Sequence, residues 1–259
     1  MFERLDIGDR RHVEIVDEAI ADGRVGFAVQ RICAANNPEQ VLYEECLARL
    51  TGLDGRVHSA GEFIPPLELF GAAPLVDQHI LGLVLDQLDH DSEVILGCNL
   101  SADNFRSEAH WDGVLEQIRS RPHLASRLIL ELTESQALQS LSFSANAIME
   151  IRGFGCRVAL DDFGAGFASP RLVQIIDFDI VKIDKAFVQD IRRSTDGSDS
   201  FHHIVAFASC FAPIVVAEGI ETKEQIAVVR SAGATHIQGH FFSLPILRTI
   251  AVKRDAEVS

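Results

Sequence analysis

Short apolar, β-branched runs alternate with amphipathic stretches along nearly the whole of this 259-residue chain, and that alternation limits the fold more than any single motif. Candidate strands fall at residues 25–32, 40–49, 94–100, 127–132, 157–161, 179–183, 214–218 and 236–241. Helical patterns lie between most of them: 74–88, where Pro74 suits a first turn, and others near 111–119, 143–152, 169–176, 200–211 and 222–231. Thr222, before Lys223, Glu224 and Gln225, offers a capping-box start to the last helix, and Gly233 a stop. Eight strands with intervening helices in about 250 residues predict an α/β fold of the TIM-like (β/α)8 barrel class. An open doubly wound sheet is the alternative. The first connection departs from the pattern. Only about eight residues, Asn36, Asn37 and Pro38 among them, separate Ile32 from the second strand. That is too short for a helical crossover, so the two strands should pair as a hairpin and one barrel strand should run antiparallel.

Each later strand delivers a metal-capable or hydrogen-bonding group at or near its C-terminal end: Asn99, Glu131, Asp161 with Asp162, Lys182, Glu218 and Gln238. Glu45 lies in the second strand. In a barrel these ends converge on one mouth, where catalytic groups belong. Taken singly, each could be a strand-end residue satisfied by its neighbours; recurrence on six parallel strands is hard to explain as packing. The aspartate pair is the sharpest case. Two adjacent carboxylates after the apolar run Val158, Ala159 and Leu160 repel each other and are costly to hold without compensation. A bound divalent cation removes both costs, and Asp161 could bridge two cations. The bland alternative is a surface turn with a capping aspartate before glycine. The set holds five carboxylates, two side-chain amides and a lysine. All-oxygen ligation suits Mg²⁺ or Mn²⁺ rather than zinc.

The formal net charge of −15 argues against binding long nucleic acid but leaves room for a small anionic ligand, because local cations reverse the sign of a pocket. No apolar stretch is long enough for a membrane span, and residues 1–6 do not read as a signal peptide. Five cysteines without a Cys-x-x-Cys spacing fit a reduced, cytoplasmic chain with thiols buried as small apolar groups. The ten histidines show no metal-ligand spacing, and sixteen phenylalanines most simply fill the core. The polar stretch 193–200 reads as a loop rather than a domain boundary. The expected organisation is therefore an N-terminal helical extension over 1–24, one domain over 25–250 and a tail over 251–259.

Together these segments resemble the EAL-domain cyclic di-GMP phosphodiesterases. The matching residues are Glu45-Cys46-Leu47, Glu62 to Pro65, Asn99 to Ser101, Glu131 to Glu134, Asp161 to Gly166, Val181 to Asp184, Glu218 to Glu221 and Gln238 to Pro245. They follow the family's order across roughly residues 25–246, and the family fold, a barrel with one antiparallel strand, agrees with the hairpin read above. The resemblance implies two Mg²⁺ or Mn²⁺ ions per site. Glu45, Asn99, Glu131 and Asp161 would hold one, and Asp161, Asp162 and Glu218 the other. Lys182 would hold the attacking water and Gln238 would stand at the rim. Arg49 matches the arginine expected to touch a substrate phosphate, and Gln30 and His240 stand at substrate-facing positions. Glu134 would fix the loop 162–169, whose Gly164 and Gly166 permit its turn, and Glu221 would support the ligands from behind.

The implied reaction is hydrolysis of cyclic di-GMP to linear pGpG. Two cations clamp the attacking and leaving oxygens and generate hydroxide near neutral pH. Cys46 stands where the motif has alanine, Arg31 where the family usually has proline, and Leu50 and His240 where aromatic residues are common. These departures surround the substrate more than the metals. The competing reading is a catalytically weak or inactive relative, acting as a cyclic di-GMP receptor or a protein-interaction module. The complete ligand set with Lys182 favours the enzyme. A Schiff-base lysine at 182 is disfavoured: it needs a depressed pKa, whereas nearby carboxylates raise it. A homodimer and a regulatory protein partner are expectations from the family alone.

Overall fold

The hairpin expected at the start of the sheet is present and tighter than the sequence indicates. β1 (Val25–Ala34) pairs antiparallel with β2 (Asn37–Thr51), in a register running from Val25 opposite Leu50 to Gln30 opposite Glu45. Only Ala35 and Asn36 make the turn, so Asn37 and Pro38 open β2 rather than lying in a loop. Pro38 is tolerated at a strand start because it leaves no ladder donor missing there, and the register shifts on either side of Cys33 take up the slack. The structure, a computed structural model, describes residues 11–133, 141–165, 176–193, 195 and 197–248. Glu134, Gly166, residues 1–10, the tail 251–259 and all but the last residue of the helix expected at 169–176 lie outside the described residues.

β3 (Val57–Ser59) adds antiparallel to β2. From β2 the sheet continues in parallel through β4 (Leu96–Leu100), β5 (Leu128–Thr133), β6 (Arg157–Phe163), β7 (Ile180–Ile183), β8 (Ile214–Ala217) and β9 (His236–Ile237). β9 then pairs antiparallel with β1 and closes an eight-stranded mixed barrel with β1 as the reversed strand. Outside it, β10 (Ile246–Leu247) lies antiparallel along β1. The expected strand 236–241 is shorter than its apolar pattern because the chain turns at Gly239, where a Cβ would strike the backbone of Ile220. That contact joins the loops carrying Glu218 and Gln238, with Ile220 N donating to the Gln238 carbonyl at 3.0 Å.

The described helices are α1 (Arg11–Ala21), α2 (Ala60–Glu68), α3 (Ala73–His90), α4 (Glu108–Arg119), α5 (Leu141–Gly153), α6 (Ala186–Gln189), α7 (Ser200–Ala208) and α8 (Lys223–Ser231). α3 buries Val76, Ile80, Leu81, Val84, Leu85 and Leu88 at helical spacing, as its sequence predicts. α8 begins with the expected capping box, in which Thr222 and Gln225 exchange hydrogen bonds, and ends before Gly233. α2 is not legible from pattern alone, since Pro65 and Pro66 lie inside it. It is anchored at its start by Glu62, which accepts from Ser59 N at 2.8 Å. No helix among the described residues is long and apolar enough to cross a membrane.

The barrel interior is layered. Ile32, Tyr43, Ile129, Ala159, Ile180 and Val216 form one buried cluster inside the strands. Side chains alternate faces along a strand, so residues two positions nearer the mouth also point inward. Those positions are Gln30, Glu45, Glu131, Asp161, Lys182 and Glu218. The strand period alone thus sets a polar ring directly on an apolar one.

Candidate active site

Lys182 stands at the centre of the polar ring. Its Nζ lies 3.1 Å from Glu45 Oε2, 2.7 Å from Glu131 Oε2, 3.0 Å from Asp161 Oδ1 and 3.0 Å from Glu218 Oε1. Four carboxylates from β2, β5, β6 and the end of β8 therefore converge on one buried ammonium. Burial alone would lower the Lys182 pKa, but Asp161, Glu131, Glu218 and Glu45 outweigh it and hold the pKa well above the ordinary value. Lys182 is a fixed cation.

The carboxylates divide. Burial pushes each toward the neutral acid, and for Glu131 and Glu218 it wins, raising both well above the usual range. Asp161 is raised for the same reason. Glu45 goes the other way, because Lys182 and two further side-chain donors, Gln238 and Asn99, overcome its burial. Asn99 Nδ2 donates to Glu45 Oε1 at 2.9 Å, and Gln238 Nε2 donates to Glu45 Oε2 at 2.6 Å. Gln238 also donates to Gln30 Oε1 at 3.2 Å, and Gln30 donates to the Ser243 carbonyl at 2.9 Å. Asp162, at the solvent edge of the mouth, is raised to about 6 by burial and by Asp161 beside it. Its backbone is left-handed at φ 54°, a conformation that aspartate tolerates better than most residues.

Two carboxylate triplets could hold cations. Glu45, Glu131 and Asp161 offer oxygens within 4.8 Å of one another, and so do Asp161, Asp162 and Glu218. Asp161 belongs to both. Glu131 Oε1 is buried with no hydrogen-bond partner among the described residues. An unpartnered buried acceptor in an all-oxygen cluster fits a hard divalent cation.

Most residues singled out in the sequence meet here: Gln30, Glu45, Asn99, Glu131, Asp161, Asp162, Lys182, Glu218 and Gln238. Others stand apart. Arg49 folds its guanidinium onto its own strand, donating to the carbonyls of Ala48 at 2.9 Å and Leu47 at 3.3 Å. His240 is exposed on the turn after β9. Glu221 is exposed at the start of α8, its backbone N–H donating to Gln225. Gly164 adopts φ +94°, and a Cβ there would meet the Phe187 ring, so the turn after the aspartates requires glycine.

Beside the carboxylates opens a cleft of about 310 Å³, running between the strand ends and α2 and α3. Ile64, Pro65, Val76 and Ile80 give it an apolar wall, and Asp77 lines it too. Asp77 was missed in the sequence although its signal is there: an acidic residue on the apolar stripe of α3. It is buried and accepts from Ser101 N at 2.7 Å and Asn104 Nδ2 at 2.6 Å.

Fold and mouth together define a TIM-like barrel of mixed sheet with an acidic, lysine-centred site at its strand ends. The family model described as EAL domain matches residues 13–245. The chain belongs to the EAL domain family, the family of the cyclic di-GMP phosphodiesterases. It is 30% identical over 213 residues to the probable cyclic di-GMP phosphodiesterase PdeA of Escherichia coli K12, covering 81% of this chain and 29% of that protein. An uncharacterised protein, y4lL of Sinorhizobium fredii, is 28% identical over 93% of this chain and 29% of its own length. The chain thus spans under a third of the length of these curated relatives. Among solved structures, the PaMucR phosphodiesterase in complex with c-di-GMP aligns with TM-score 0.77 and 24% identity over 91% of this chain and 97% of that one. The FimX EAL domain from Pseudomonas aeruginosa bound to c-di-GMP aligns with TM-score 0.78 and 18% identity over 91% and 96%. At these identities the two structures speak for the fold.

Proposed function

We propose that the chain is a cyclic di-GMP-specific phosphodiesterase, hydrolysing cyclic di-GMP to linear pGpG with two Mg²⁺ or Mn²⁺ ions per site. The observation that carries the proposal is the position of Asp161 in two overlapping carboxylate triplets around one buried lysine. With all five carboxylates ionised around cations, one ammonium leaves four negative charges, the number that two divalent cations balance. Glu45, Asn99, Glu131 and Asp161 would hold one cation, and Asp161, Asp162 and Glu218 the other. When bound, the cations would supply Lewis acidity toward the phosphoryl oxygens and lower the pKa of water.

The chain's own residues do the rest. Lys182, held protonated, does not accept a proton; it orients the attacking water by donating to it and offers positive charge to the reacting phosphate. Gln238 and Asn99 fix the Glu45 carboxylate by donating to both of its oxygens. Gln30 holds Gln238 in turn. Arg49 would reach a substrate phosphate by leaving the two carbonyls it now contacts, and His240 would meet substrate at the rim. The apolar wall from Ile64 to Ile80 suits the face of a flat base beside the carboxylates. Glu134, Gly166 and Glu221 are proposed to support the loops around the site. Residues 25–250 are proposed as the catalytic domain, with 1–24 as its helical extension and 251–259 as a tail. Four buried free thiols among the five cysteines support a reducing, cytoplasmic setting.

Incubation with cyclic di-GMP and Mn²⁺ or Mg²⁺, followed by nucleotide chromatography, should yield pGpG, and EDTA should stop its formation. Tight binding of cyclic di-GMP without product would overturn the enzyme and leave a receptor.

A further inference from the structure

Tyr43 is the chain's only tyrosine and the largest fully buried side chain among the described residues. It points into the apolar ring beneath the site, among Ile32, Ile129, Ala159, Ile180 and Val216. Its hydroxyl has no hydrogen-bond partner among the described residues, and neither has Glu131 Oε1. One is a donor, the other an acceptor, and both are buried. A native core rarely leaves such a pair apart.

Gly97 brings them together. It lies on β4, between β2, which carries Tyr43, and β5, which carries Glu131. A Cβ on Gly97 would lie 2.6 Å from Tyr43 Cε2 and would collide with Glu131 Oε1. The phenol ring and the carboxylate oxygen thus crowd into the one space that a side chain at 97 would fill.

We propose that Tyr43 is a positioning residue, whose hydroxyl donates from beneath to one lone pair of Glu131 Oε1, leaving the other for a cation, and fixes that carboxylate while Oε2 stays with Lys182. Carboxylates that hold metals are themselves held by hydrogen bonds, and loss of such a partner costs about 10- to 100-fold in metal affinity. The consequence for metal rests on the two-cation reading; the Tyr43–Glu131 hydrogen bond does not.

Two measurements test the proposal. In metal-free protein, subtracting the Tyr43→Phe spectrum isolates the band of the single tyrosine. A phenol donating to a carboxylate absorbs to the red, so Glu131→Gln should move the band to the blue; an unmoved band overturns the pair. In Mn²⁺ titrations by calorimetry, Tyr43→Phe, which keeps the ring and its packing, should bind about 10-fold more weakly than wild type. Equal affinity together with a higher melting temperature overturns the proposal, because that is the behaviour of an orphaned hydroxyl in an apolar layer. If wild type itself binds no Mn²⁺, the two-cation reading fails, and the metal-free tyrosine band still decides the hydrogen bond.

Discussion

Two rings of side chains fill the barrel two residues apart on the same strands, and they obey opposite rules. The lower ring, from Ile32 to Val216, is apolar, and its burial is favourable by about 25 cal/mol for each Å² removed from water. The upper ring is buried almost as deeply, with Lys182 and Glu131 at 1% exposure and Glu45 at 5%. Its burial is costly, and each charge must be offset by another. Hydrophobic packing would have served the upper ring as well as the lower, so its charges are explained by what they act on rather than by stability.

The comparison breaks hardest at Asp161, the carboxylate shared by both triplets. Asp161→Ala should lower turnover by at least about 10³-fold, equivalent to several kcal/mol of lost transition-state stabilisation. The metal-free melting temperature should not fall, since one member of a mutually repelling set is gone. Parallel rate assays and thermal melts in EDTA check this. Near-normal turnover would remove Asp161 from the metal assignment.

Lys182→Met attacks the same ring from the other side. It leaves three buried carboxylates and the half-buried Glu218 without their cation, and uncompensated buried charge typically costs about 3 to 5 kcal/mol. Urea unfolding in EDTA at neutral pH should show that loss. It should shrink at lower pH, as the carboxylates protonate, and Mn²⁺ should restore part of it. A stability loss independent of both pH and Mn²⁺ would mean that Lys182 serves packing alone.

The lower ring should respond to neither variable. Ile32 is fully buried there, next in the hairpin to Gln30 of the upper ring. Ile32→Ala should cost about 3 kcal/mol through lost burial and a residual cavity, equally with and without metal and at either pH. A metal-dependent loss at this position would show that the two rings are coupled through β1.

How much of this contrast was legible in the sequence follows from its period. An alternation of two with a polar residue at the mouth end places Asn99, Glu131, Asp161, Lys182 and Glu218 without any coordinates, and the short connection after Ile32 gives the reversed strand. What lies across strands was not legible. Tyr43, Gly97 and Glu131 come from three separate segments, and only their register shows that they share one space. The conformation of Arg49 was likewise hidden, because a motif position says nothing about which carbonyls a guanidinium will contact. α2 was obscured by Pro65 and Pro66, whose local preference against a helix interior is overridden by burial of Phe63 and Leu67.

Asp77 sharpens the comparison with a third case: a carboxylate buried on α3, outside the barrel, that accepts from Ser101 and Asn104 with no lysine beside it among the described residues. Burial outweighs these donors and raises its pKa from 3.8 to about 6. The folded protein therefore holds a proton on Asp77 between about pH 4 and 6, where the unfolded chain has released it. Stability then falls as pH rises through that interval and is flat with respect to this group above it, a change on the order of 2 kcal/mol. Asp77→Asn keeps an acceptor for both donors but cannot titrate. Subtracting its stability profile, measured by urea unfolding from pH 4 to 7, from that of wild type should leave this falling slope. A difference that instead rises with pH would mean that the donors hold Asp77 ionised. In that event dipoles alone could support a buried carboxylate here, and the lysine of the upper ring would be required for its charge toward substrate rather than for its neighbours.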